Sequence, residues 1–561
     1  MQQNIPKITL LLSLLCVSPV LAQRPDPNQD RLPQPLPNPE EAIPPETIPE
    51  ITPPESPTEL PMPDEDVVIS VTQIEVSGST IFGPEEFDPL VQPLEGRDVS
   101  LAELQTLADT ITRLYFDQGY LTSRAILPEQ DITEGSILIQ VIEGSIGKIQ
   151  IEGNQQTQTR YLEQRLGLGT ETPVQLGAIE DQLRLLQFSP LFDSVEGTLL
   201  PGEELGESTL AITVDEAKPF NADLSIDNYS PPSVGDVRTG IGLSYQNLTG
   251  WGDRISLAYH RSTTGGSNLY DIGYQIPLNA MDGTLQLRTL ISDSTQTLTS
   301  LDVSGDSEFY EVNFRQPLVR TPREELALSL GFAYREGQTF LFGSPFPFGS
   351  GPNANGISRT SVIKFGQDYI RRDPSGAWAF QSQFSLGTSL FNATNNGSPT
   401  PDSQFLSWLG QAQRVQRLDN NNLLIVQASG QLASDSLLAS EQFVIGGGQS
   451  LRGYRQNVRS GDNGFRLSVE DRITVLRDQD TQTSILQIMP FLDMGYVWNQ
   501  NGNPNVEPSQ RFLVGAGLGV AYQPLEGLSL QLDYGLPLVD LNDRGDNVQD
   551  DGFYFTVNYH Y

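Results

Sequence analysis

The residues of this chain with the most specific chemistry are an arginine in a glycine-rich stretch and an aspartate framed by an aromatic residue and a glycine. The first stretch reads Gly446-Gly447-Gly448-Gln449-Ser450-Leu451-Arg452-Gly453-Tyr454, and the second Phe491-Leu492-Asp493-Met494-Gly495. A guanidinium offers a planar fork of donors that matches a carboxylate in two parallel bonds, so Arg452 and Asp493 have complementary groups for a charge-assisted pair. The plainer alternative is an exposed loop arginine and an unrelated aspartate. Nothing comparable points to catalysis. His260 and His560 lie far apart in the chain, Cys16 is the only cysteine, and no serine sits in a nucleophile elbow. The expectation is a protein that is not an enzyme and uses no cofactor or metal.

Short-period alternation dominates the residues that must position these two groups. In 254–260, Ile255, Leu257 and Tyr259 alternate with Ser256, Ala258 and His260. Further on, Leu326, Leu328, Leu330, Phe332 and Tyr334 alternate with small residues, and Leu528, Leu530, Leu532 and Tyr534 with Ser529, Gln531, Asp533 and Gly535. The chain ends on Phe553, Phe555, Val557, Tyr559 and Tyr561, an aromatic row with smaller or more polar residues between. About sixteen such runs fit between residues 220 and 561, each long enough to cross a bilayer when tilted. Turns such as Pro374-Ser375-Gly376 and Asp419-Asn420-Asn421-Asn422 separate them. An even number of strands ending on an aromatic face favours a transmembrane β-barrel over a soluble sandwich or propeller.

Parity then assigns faces. Leu486, Ile488, Pro490, Leu492, Met494 and Tyr496 form an apolar, lipid-side row, which turns Asp493 and Gln487 toward the lumen. On the preceding run Phe465, Leu467 and Val469 face out, and Arg466, Ser468, Glu470 and Arg472 face in. About thirty residues separate the eleventh run, 423–433, from the twelfth, which starts near Phe465. That length suggests a functional loop, and Arg452 lies within it. Abundant lumen carboxylates read as solvated pore walls.

The formal net charge of −37 excludes an electrostatic nucleic-acid binder. A mean hydropathy of −0.28 is compatible with a barrel, since half of each strand faces a polar interior. Residues 1–22 read as a signal peptide, with Lys7, an apolar core and the small-residue boundary Val20-Leu21-Ala22. Cys16 falls inside it after Leu15, so neither disulfide chemistry nor acylation is expected of the exported chain. Residues 23–66 are proline-rich and acidic, the composition of an extended linker.

An internal repeat fills the interval before the strands. Ile74-Glu75-Val76-Ser77-Gly78-Ser79 corresponds to Ile149-Gln150-Ile151-Glu152-Gly153-Asn154, and Ile137 through Glu143 to Leu210 through Glu216. Between these segments lie helices. Ser100 and Glu103 form a capping box ahead of an apolar stripe that includes Leu104, Ala108, Ile111 and Tyr115, and Leu176, Ile179, Leu183 and Leu186 form a second stripe. Each unit therefore reads strand, helix, helix, strand, strand, with boundaries at 67–144 and 145–217 and the barrel at 218–561.

Two such units before a barrel resemble the polypeptide-transport-associated (POTRA) domains of outer-membrane polypeptide transporters. The stretch around Arg452-Gly453-Tyr454 resembles that superfamily's arginine-glycine-tyrosine loop, which folds back into the barrel, and Phe491-Leu492-Asp493-Met494-Gly495 resembles its partner motif. Two repeats, Asp227-Asn228-Tyr229 on the first strand and the turn Asn247-Leu248-Thr249-Gly250-Trp251-Gly252-Asp253 resemble the two-partner-secretion branch, the hemolysin and filamentous-hemagglutinin exporters. The resemblance implies an outer-membrane transporter, its POTRA domains in the periplasm, that exports a secreted, unfolded, β-helical partner protein through its pore. It assigns loop function to Arg452, Gly453, Tyr454, Asp493 and Gly495. An insertase that assembles other barrels is the alternative. Family members often carry an N-terminal helix that plugs the pore, for which 24–66 is too proline-rich.

Overall fold

The computed structural model describes residues 68–561, apart from 133, 299–300, 479–482 and 506–509. The expected leader and proline-rich linker lie outside the described residues. The described chain forms two compact units that meet in sequence between Ala217 and Lys218.

The first unit contains both repeats, each with a closed core. In the first, the helix Leu101–Asp117 starts at Ser100, whose side chain accepts the Glu103 N–H while the Glu103 carboxylate accepts the Ser100 N–H. Its buried stripe, including Leu104, Ile111 and Tyr115, packs on Ile137, Ile139 and Val141. The second repeat follows without a linker. Its strands Ser145–Glu152, Glu207–Glu216 and Phe192–Pro201 form one sheet in that spatial order, covered by Thr159–Leu166 and Leu176–Gln187. The first repeat departs from the five-element pattern. Val68–Val71 and Arg97–Ser100 form a separate two-stranded sheet. Four-residue strands of mixed polarity carry no periodicity for a sequence reading to find.

The repeat correspondence extends to a side-chain clasp. Glu143 and Glu216, at matching positions just past or at the end of the last strand, each accept backbone N–H bonds from the loop after the first core strand. Glu143 takes them from Thr80 (2.7 Å) and Ile81 (3.3 Å), and Glu216 from Gln156 (2.8 Å) and Thr157 (2.7 Å). Glu143 also accepts the Tyr115 hydroxyl at 2.9 Å. Burial pushes the Glu143 carboxyl up, but these bonds outweigh it and hold its pKa below the ordinary value of 4.5. A lowered carboxyl stabilises the fold above its unfolded-state pKa, and that contribution is lost as pH falls through the folded one. In a fragment spanning 68–217, Glu143→Gln should therefore cost about 1 kcal/mol in urea unfolding at pH 7, kept small by solvent screening. The gap from wild type should close as pH drops below 4.5.

The second unit is a closed antiparallel barrel in which each strand pairs with its sequence neighbours and the last with the first. Sixteen long strands form it among the described residues, with the two-residue strand Ser344–Pro345 beside the seventh. Strands six to eight, Leu301–Arg320, Glu324–Leu341 and Ile357–Asp373, are the longest, and the fifth is Thr284–Leu298. The first and last, Phe220–Asp227 and Phe553–His560, are short and share five ladder pairs, from Thr556↔Asp227 to His560↔Asp223. Their far end is completed by Asn228. Its side-chain amide donates to the Phe553 carbonyl (2.9 Å) and accepts from the Phe555 N–H (2.8 Å), as a backbone group would. Asp227 alone of Asp227-Asn228-Tyr229 belongs to the first strand; Asn228 makes these contacts, and the Tyr229 N–H donates back to the Asp227 carboxylate at 2.9 Å. Outward rows are exposed and apolar, as at Leu224, Ile226, Ile255, Leu257 and Leu330, whereas Asp227, Gln413, Asp493 and Asp533 on inward rows are buried.

Candidate functional site inside the barrel

The long loop, 434–462, joins the eleventh strand, Asn422–Ala433, to the twelfth, Asn463–Arg477. It is not structureless. Phe443–Ile445 and Arg459–Gly461 pair as a short ribbon, and its tip carries Arg452 against the inner wall. Leu451 and Tyr454 from the tip and Phe443 and Ile445 from the ribbon bury against Leu409, Val497 and Leu513 of the wall.

Arg452 is the polar centre of this packing, with only 7% of its surface exposed. Its Nε (2.8 Å) and backbone N–H (3.0 Å) both donate to Asp493 Oδ2, and its Nη2 donates to Oδ1 at 3.0 Å. Asp493, on the thirteenth strand, Ser484–Trp498, is 1% exposed and also accepts the Ser468 hydroxyl at 2.7 Å. Nη1 reaches Glu470 Oε2 at 2.6 Å and lies 3.8 Å from Asp533 Oδ1 on the fifteenth strand, Leu528–Pro537. The guanidinium carbon sits 3.4 Å from the ring centre of Phe491. One cation thus ties the loop to three strands, with an aromatic face beneath it.

Gly453, Tyr454 and Gly495 gather at the same place. Gly453 has φ +100, and its N–H donates to the Tyr554 hydroxyl at 2.9 Å, which in turn donates to the Tyr454 carbonyl at 2.7 Å. The Tyr454 hydroxyl lies 2.8 Å from the Val514 carbonyl and 3.0 Å from that of Val539. At Gly495 a methyl group would press on Leu451 and Ile445 of the loop. The wall beneath is a lane of glycines. A Cβ on Gly515, in the fourteenth strand, Phe512–Leu525, would overlap the Arg452 carbonyl oxygen, and one on Gly535 would press on the Gly453 nitrogen. Gly515→Val, which leaves every charge in place, should lift the loop at a cost of about 1–3 kcal/mol. Protease cleavage within 434–462 should rise in isolated membranes while heat-modifiable migration of the barrel persists.

Beyond the tip, the loop is held by the segment before the last strand. Arg459 Nη2 and Arg455 Nη2 meet Asp543 at 2.7 and 3.0 Å. The Arg459 bonds, ahead of the opposing effect of burial, bring the Asp543 carboxyl down to about 2. Gln456 N–H donates to Gln549, whose amide donates to the carbonyls of Asn228 and Ser230 beside the first strand. Tyr554 lies on the inner face of the last strand, where the alternation puts it, but its part in seating the loop was not read from the sequence. Glu470 and Asp533 were legible as inward residues, but their convergence on Arg452 was not. Among the described residues no group of His, Cys, Asp or Glu has a metal-holding arrangement.

The family model of the haemolysin secretion/activation protein ShlB/FhaC/HecB matches residues 206–522, more than half of the chain. The chain belongs to this family. A POTRA domain of ShlB type matches 69–144. Similar relatives include the outer membrane transporter CdiB of Dickeya dadantii, 25% identical over 84% of this chain and 83% of the relative. The heme/hemopexin transporter protein HuxB of Haemophilus influenzae is 24% identical over 83% and 82%. The solved structure of CdiB from Escherichia coli superposes with a TM-score of 0.70 at 24% identity, covering 91% of this chain and 94% of that one, which shows the shared fold. This family is one of two-partner-secretion transporters in the outer membrane, with POTRA domains in the periplasm, and it is favoured over the barrel-assembly reading. Since the first barrel strand follows the POTRA domains, odd-numbered strands run outward. The loop at 434–462 therefore connects at the extracellular side and turns such as 374–375 at the periplasmic side.

Proposed function

We propose that this protein captures one large, unfolded, β-rich partner with its two POTRA domains and exports it through the barrel lumen, with the Arg452 loop as a seated element that the passing chain displaces. The observation that carries the reading is the seat itself. A loop inside the lumen rests on glycines and is fastened mainly through side chains centred on one buried arginine, so it can leave without disturbing the strand ladders. Capture is supported by the open sheet edges of the repeats. Gln73–Ser77, Ser145–Glu152 and Phe192–Pro201 are outer strands of their sheets, to which an extended chain can add backbone hydrogen bonds without a fixed sequence. Folding of the partner outside the cell supplies direction without a nucleotide. The direct test compares proteins released by cells with and without this gene. A single large β-helical protein lost from the medium supports the proposal, whereas depletion of many unrelated outer-membrane proteins points to barrel assembly.

A further inference from the structure

The lipid-facing surface of the barrel carries a row at its periplasmic end that is not apolar. Reading across the periplasmic ends of strands seven to ten, Glu324, Arg371, Trp378 and Arg414 are successive cross-strand neighbours. Outward parity is set by the neighbours along each strand. Leu330 on the seventh, Phe365 on the eighth, Phe380 and Phe384 on the ninth, Gly376–Gly387, and Trp408 on the tenth, Leu406–Arg417, are exposed on the same rows. Trp378 is itself 43% exposed and stacks on Phe380 with centroids 5.5 Å apart.

The two arginines differ. Arg414 is preorganised, its guanidinium 5.4 Å from the Trp378 ring centre and bonded to Asp373 at 2.7 Å and to Gln416. The Arg371 side chain is exposed and makes no hydrogen bond or ion pair among the described residues. Its cross-strand neighbour Glu324 accepts the Tyr369 hydroxyl at 2.8 Å, and Asp373 is taken by Arg414 and Ser375. Neither carboxylate is bonded to the Arg371 guanidinium, although the Glu324 charge stays beside it. An arginine on the lipid face costs about 2–4 kcal/mol at the bilayer midplane and about 0–1 near the interface, so this row belongs at headgroup depth. There Trp378 suits the boundary between acyl chain and headgroup, and two guanidiniums two strands, or roughly 10 Å, apart flank it.

We infer that Arg371, Trp378 and Arg414 form a binding site for the phosphate headgroup of an anionic phospholipid in the periplasmic leaflet. The free fork of Arg371 takes the phosphate oxygens, Trp378 carries the glycerol and upper acyl segment, and Arg414, its charge balanced by Asp373, holds the far side of the Trp378 ring. Such a lipid would pin the level of the barrel at strands seven to ten.

The test uses the full chain in detergent, titrated with phosphatidylglycerol and, separately, with phosphatidylcholine, bound lipid being read by native mass spectrometry. Wild type should prefer phosphatidylglycerol. Arg371→Gln should weaken that lipid about fivefold, the factor carried by one arginine at an anionic surface, and leave phosphatidylcholine unchanged. Arg371→Lys should keep most of the preference. Arg261→Gln, which removes an exposed arginine from the outward row at the opposite end of the third strand, Arg254–Ser262, should have no effect. Heat-modifiable migration checks that each variant is folded. The site is overturned if wild type shows no preference, if Arg261→Gln and Arg371→Gln weaken binding equally, or if millimolar inorganic phosphate competes as well as the lipid does.

Discussion

Arg452→Ala abolishes most export of the partner while the protein remains in the outer membrane as a heat-modifiable barrel. The expectation rests on what the truncation leaves behind. Asp493, Glu470 and Asp533 converge on one guanidinium, and all three side chains are nearly buried. Without it, carboxylates that share a small, desolvated space have lost their common counter-ion. Truncating one side of a buried charge pair costs roughly 3–5 kcal/mol, enough to unseat the tip of a loop whose remaining hold is an apolar patch, the tyrosine bonds and, farther along, the Arg455 and Arg459 pairs with Asp543. Asp493→Ala acts in the same direction but less severely, because Arg452 keeps Glu470 at 2.6 Å and the face of Phe491. The double variant should be no worse than Arg452→Ala, as expected for two residues of one interaction. Secreted partner is measured in culture medium against barrel content of the membrane. Wild-type export by Arg452→Ala, or fully additive losses, would show that this contact does not hold a working element.

Deleting residues 67–144 stops export with the barrel intact. Barrel closure uses pairings from Phe220 onward, none of which involves the repeats. The first repeat has its own core around Leu104, Ile111 and Ile139, so its removal takes away a complete domain. What remains lacks the open edge Gln73–Ser77 and half of the proposed capture surface. A fragment spanning 68–217 should in turn bind the unfolded partner in a pull-down. Absence of binding at any practicable concentration, together with normal export by the deletion, would remove capture from the repeats and leave only the pore.

Much of this was legible because β-strand side chains alternate strictly, so local sequence encodes which way each residue faces. Asp493 was read as inward because Leu492 and Met494 face lipid, and the same rule placed Ser468, Glu470 and Asp533. The helix at Leu101–Asp117 was legible from its capping box and stripe, both of which are local signals. The repeat was found by matching segments, and the Glu143 and Glu216 clasps show that the match reaches individual hydrogen bonds.

Which inward residues meet was decided by the tertiary structure. Parity says that Glu470, Asp493 and Asp533 face the lumen, but only ladder register and barrel curvature bring strands twelve, thirteen and fifteen around one guanidinium. Tyr554 lies 100 residues from Tyr454 and touches it because the last strand closes on the first. The glycines at 495, 515 and 535 interrupt rows without a local reason, and their purpose exists only once the loop lies on them. Sequence alone determined strands, faces and repeats, since those depend on neighbours along the chain. The seat of the loop depends on neighbours across it, and closure of the barrel supplies them.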